Sequence, residues 1–84
     1  MVNDNKRLEN IRMFAKELRQ AGHIKRFTIS QAGSEGWEVK VEQDSHVVRQ
    51  VYYTDWHRVE RAAQVMMLQV SELEENGWQE TLPH

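Results

Sequence analysis

An α+β fold is what this sequence predicts: a two-layer α-β-β-β-α arrangement with a three-stranded antiparallel meander, order 1-2-3, and both helices on one face. Three observations predict it. Apolar residues recur at helical spacing over about residues 5–21, alternate with polar residues over about 24–53, and return to helical spacing over about 55–76. Each segment is apolar on one side only, so helices and sheet must bury those sides against each other. The chain of 84 residues suffices for one hydrophobic core and not two, so residues 1–84 are read as one domain.

In the first segment Leu8, Ile11, Phe14, Ala15, Leu18 and Ala21 fall on one arc of a helix spanning about 5–21. Gly22 then reads as the left-handed residue that closes it, with Lys16 and Arg19 suited to the negative pole of the helix dipole. The next three runs read as strands at about 24–31, 37–43 and 46–53. Phe27 and Ile29 alternate with Thr28 and Ser30, and Trp37, Val39 and Val41 alternate with Glu38, Lys40 and Glu42. For both apolar sets to face one side, the loop within Ala32–Gly36 must hold an odd number of residues, three or five, which makes a hairpin. Gln43-Asp44-Ser45 supplies the following turn.

The third run carries Val47, Val48, Val51, Tyr52 and Tyr53 at both parities. Burying Val47, Val51 and Tyr53 with Arg49 is the preferred register, and a bulge would reconcile it with the alternative set, Val48 and Tyr52. Thr54 or Asp55 can cap a second helix over about 55–76, whose core stripe is Val59, Ala62, Ala63, Met66, Val70 and Leu73. Asn76-Gly77-Trp78 fits a closure by a left-handed glycine, with Trp78 folding back on Leu73. Residues 79–84 are left as a short tail.

Composition narrows the function. With no cysteine there are no disulfides or thiolate metal sites, and stability must come from packing. No stretch approaches the roughly 20 apolar residues that span a bilayer, and residues 1–23 hold no signal-like apolar run, so a soluble, cytoplasmic protein is expected. Net charge is −2, too little for a chain devoted to neutralising a polyanion. The charge is asymmetric, with seven basic groups against three acids in residues 1–26 and four against ten thereafter.

The α-β-β-β-α order resembles the double-stranded-RNA-binding domain, which implies duplex recognition by helix 1, the loop between strands 1 and 2, and the start of helix 2. Here that loop, Ala32 to Gly36, lacks the family's proline and histidine, and Asp55-Trp56-His57-Arg58-Val59-Glu60-Arg61 stands where the family places lysines. A shorter stretch, Gly36-Trp37 followed by Asp44-Ser45-His46, resembles the HicA-type ribonuclease toxins and implies a general acid/base role for His46. Asp44 replaces that family's glycine, and an acidic chain replaces a basic one.

Among candidate sites, His23, His46, His57 and His84 are scattered, and His57 with Glu60 at i and i+3 supplies two ligands where a metal needs three or four, so no metal is expected. Gly33-Ser34-Glu35-Gly36 lacks the spacing and lysine of a phosphate loop, and no cofactor is expected. Trp37, Tyr52, Tyr53, Trp56 and Trp78 read as core or rim packing, with Tyr52 pointing outward in the preferred register. Arg12, Lys16, Arg19, Lys25 and Arg26 form a candidate basic patch along helix 1 and just beyond it. Val65 and Leu68 lie outside the core arc of helix 2, beside Arg61 and Glu72, and these four are the candidate interface. The resulting expectation is a small non-enzymatic interaction or regulatory module that takes a protein partner or a second copy of itself. A nucleic-acid-binding domain using the basic side of helix 1 is the alternative.

Overall fold

Two left-handed residues in succession, Ala21 (φ 52°) and Gly22 (φ 82°), set the architecture. They form a two-residue turn between Gln20 and His23, which face each other across an antiparallel pair, and positive φ at both central positions is the turn whose twist suits a hairpin. The structure is a computed structural model and describes residues 12–34 and 36–81. Its elements are β1 (Arg12–Gln20), β2 (His23–Ala32), β3 (Gly36–Gln43), β4 (His46–Tyr53), α1 (Trp56–Glu75) and β5 (Gln79–Glu80). They build one antiparallel sheet in the order β4-β3-β2-β1-β5, with α1 packed on one face.

The α-β-β-β-α layout with two helices on a three-stranded sheet is therefore incorrect. Residues 12–20 are a strand, and the earlier part of the expected first helix lies outside the described residues. The reason is an ambiguity of spacing. Phe14 and Leu18 are four apart, which is about one turn of a helix and also one face of a strand. Pairing decides between them: Phe14 stands opposite Ile29 and Leu18 opposite Lys25, and Leu18 is fully buried. As a strand, the segment also satisfies the backbone edge that β2 would otherwise leave open. Gly22 does have left-handed φ, but it turns a hairpin rather than closing a helix.

The next hairpin matches the alternation. Phe27 faces Val41 and Ile29 faces Val39, with the three residues 33–35 between Ala32 and Gly36. In β4 the register slips by one residue between the Val41–Arg49 and Glu42–Val47 pairs, so Val48 is a bulge. Val51 and Tyr53 are half-buried on the helix side, as in the preferred register, but the bulge leaves Val47 opposite outward-facing Glu42 and 51% exposed.

Asp55 caps α1 by accepting the His57 backbone N–H at 3.0 Å. At the other end Trp78 N–H donates to Leu73 O (3.0 Å) and Gly77 N–H to Glu74 O (3.1 Å), the paired closure of a Schellman motif with Gly77 at φ 100°. Between these caps the helix crosses from the β4 edge to the β1 edge, where Gln79 and Glu80 pair with Arg19 and Leu18 as β5 rather than trailing as a tail. Leu18, Phe27, Ile29 and Val39 of the sheet meet Val59, Met66 and Val70 of α1 in the core.

Candidate functional site

Among the described residues one helix packs on this sheet, and a cleft is left beside it. Between the flank of α1 and the β3–β4 side of the sheet lies a cleft of about 680 Å³. Phe27, Val41, Val48 and Tyr53 line it from the sheet, and Ala62, Val65 and Met66 from the helix. Charged side chains surround this apolar lining: Lys25, Arg49, Arg58 and Arg61, against one acid, Glu72. An apolar floor beneath a cationic rim favours an occupant that carries both apolar and acidic groups.

The opposite sheet face is electrically self-contained. Arg26 donates to Glu17 at 2.9 Å and lies 3.6 Å from Glu42, and these carboxylates raise its pKa, the Glu17 hydrogen bond most of all. Glu38 accepts from Gln50 and from Tyr52 Oη (2.9 Å), which holds its carboxyl below the usual range, the Gln50 bond contributing most. Tyr52, 63% exposed, is correspondingly raised by its bond to Glu38. Trp37 is on the helix side, tilted against Trp56 with centroids 5.3 Å apart, so the outer face presents no row of aromatic rings for bases to stack on.

The candidate basic patch does not survive as a patch, because a strand sends alternate side chains to opposite faces. Lys16 lies on the helix side and pairs with Glu80 of β5 at 2.8 Å. Lys25, opposite Leu18, places its ammonium 5.8 Å from the centroid of the Trp78 ring. Arg19 and Arg26 are on the outer face, both beside Glu17. Arg12 begins β1 opposite Ser30. The helical flank on which the nucleic-acid alternative depended is absent over residues 12–20.

The candidate interface residues do come together. Arg61, Val65 and Glu72 line the cleft, and Leu68, 69% exposed, sits on the adjacent outer surface of the helix. Sequence reasoning missed Val48, Arg49 and Arg58, which complete the cleft. The signal for Val48 was the two-parity run in β4, which marks the bulge that turns it toward the helix side.

Two of the described histidines, His23 and His46, meet at Asp44, and His57 stands away from them on α1, while His84 lies outside the described residues. His46 opens β4 just after the Asp44-Ser45 turn, exposed, with its Nδ1 3.1 Å from Asp44 O, so the segment resembling the toxin motif is a tight turn. His57 Nδ1 lies 4.0 Å from Glu60 on the solvent side of α1. Among the described residues no group of three or more His, Asp or Glu is placed to hold a metal ion, and no helix is long and apolar enough to cross a membrane.

Comparison with family models, curated proteins and solved structures gives no match. The resemblance to the double-stranded-RNA-binding domain is overturned by the element order itself, since a strand occupies residues 12–20 where that family requires its first helix. The likeness to the HicA-type toxins fails with it, having rested on the same topology class and on the His46 turn.

Proposed function

We propose that this domain is a small non-enzymatic interaction module of the cytoplasm, a compartment its lack of cysteine suits, and that it docks a protein partner through the outward flank of α1 and the adjoining cleft. The observation that carries the reading is the exposure of Val65 (46%) and Leu68 (69%) at the middle of a 20-residue helix, beside an apolar cleft that the helix does not fill. Removing such surface from water stabilises a complex by roughly 25 cal/mol per Å² before association costs are deducted. Self-association is the favoured form of docking, because in a two-fold dimer one patch serves both sides.

Sedimentation equilibrium tests this with wild type and Val65→Lys/Leu68→Lys. The reading expects association at micromolar concentration, weakened about tenfold or more in the variant, with unchanged circular dichroism. Equal association of the two proteins would remove this flank as the docking surface.

A further inference from the structure

The outward stripe of α1 is Arg58, Arg61, Val65, Leu68, Glu72 and Glu75, all exposed and spaced alternately three and four residues apart. That is the spacing of a two-helix seam. The charges along it are sorted: two cations in the N-terminal half, two aliphatic residues at the centre, two carboxylates in the C-terminal half. None of the four charged residues forms an ion pair with another described residue.

This order is unfavourable within a lone helix. The positive pole of the dipole is at the N-terminus, yet α1 has no acid in its first turn, which holds Arg58, and no base in its last, which ends in Glu74 and Glu75. We infer that the stripe is complementary to itself, and that a second copy of this chain docks with its α1 antiparallel, placing Arg58 against the partner's Glu75, Arg61 against the partner's Glu72, and Val65 against the partner's Leu68. This rests on the reading of that flank as a self-docking surface and adds the orientation of the two helices and their register.

The two-fold axis passes between Val65 and Leu68, so each layer occurs twice. An antiparallel helix also brings its carboxylate end to the cationic rim of the cleft, where Arg58 and Arg61 stand beside Arg49. A parallel pairing would set arginine on arginine and carboxylate on carboxylate, so the sorted charges select the orientation as well as the partner.

Charge reversal tests it. Arg61→Glu alone sets carboxylate against carboxylate in both symmetric layers, and Glu72→Arg alone sets arginine against arginine. Each is expected to weaken dimerisation about tenfold or more in sedimentation equilibrium at low salt. An equimolar mixture of the two variants should recover dimer, because both layers of the heterodimer again pair opposite charges: the introduced carboxylate of one chain meets the introduced arginine of the other, while the native Glu72 of the first meets the native Arg61 of the second. That recovery should fade as salt rises. Circular dichroism reports whether each variant stays folded. Dimerisation of both reversal variants as tight as that of wild type overturns the register while leaving the docking flank standing. A wild type that stays monomeric at high micromolar concentration overturns the second copy as occupant, and single reversals whose mixture recovers nothing also overturn the pairing.

Discussion

Asp44 and Ile24 exchange hydrogen bonds in both directions: the Asp44 N–H donates to Ile24 O at 2.8 Å, and the Ile24 N–H donates to the Asp44 carboxylate at 2.9 Å. A turn residue of the β3–β4 hairpin thereby extends the ladder of β2. Its second carboxylate oxygen lies 2.8 Å from His23 Nδ1. These contacts hold the Asp44 carboxyl below its ordinary value, the Ile24 backbone bond contributing most and the His23 bond next.

A pH dependence follows from that depression. A carboxyl whose folded pKa is lowered contributes stability that is complete above its unfolded pKa and is lost as pH falls through the folded one. Glu38, lowered by Gln50 and Tyr52, acts in the same direction. Thermal midpoints are expected to fall as pH drops below the ordinary carboxylate range, and to fall less steeply in Asp44→Asn. Asparagine keeps an acceptor and tolerates φ 52°, so at neutral pH Asp44→Asn should be milder than Asp44→Ala.

Leu18→Ala tests whether β1 belongs to the core. Leu18 has 0% accessible surface and sits on a strand held between β2 and β5, so its truncation should cost about 2–5 kcal/mol in urea unfolding. A loss of only a few tenths would mean that this strand is not seated as described.

Gly77→Ala and Gly22→Ala separate strain from contact. Both glycines have positive φ, so each substitution costs about 1 kcal/mol from conformation alone. Around Gly22 a methyl group meets nothing, whereas at Gly77 it would stand 2.6 Å from Gln20 Nε2, the group that donates to Asn76 O at 2.8 Å. Gly77→Ala should therefore be the more damaging of the two in thermal unfolding, because Gln20 must give up that bond.

The contrast between these glycines also shows what was legible in the sequence. Gly77 carried an unambiguous message because a helical pattern precedes it and Trp78 supplies the apolar residue that folds back. Gly22 carried only the information that the chain turns left-handed, which a helix end and a hairpin share. The Phe14–Leu18 spacing did not break the tie, since both geometries put those residues on one face. Once β1 is a strand, Lys16 and Arg19 part to opposite faces, and the basic patch goes with the helix. The flank of α1 was readable because Val65 and Leu68 fall outside a well-defined core arc. The cleft beside it was not, since its shape depends on the Val48 bulge and on where α1 lies across the sheet.

If the exposed stripe of α1 meets another α1, cross-linking reports it directly, and the absence of cysteine from the sequence leaves introduced thiols as the only ones. Val65→Cys and Leu68→Cys are prepared separately, mixed, and oxidised under mild conditions. The mixture should form an interchain disulfide faster than either variant alone, because residue 65 of one chain opposes residue 68 of the other. Equal or negligible rates in all three samples would contradict it.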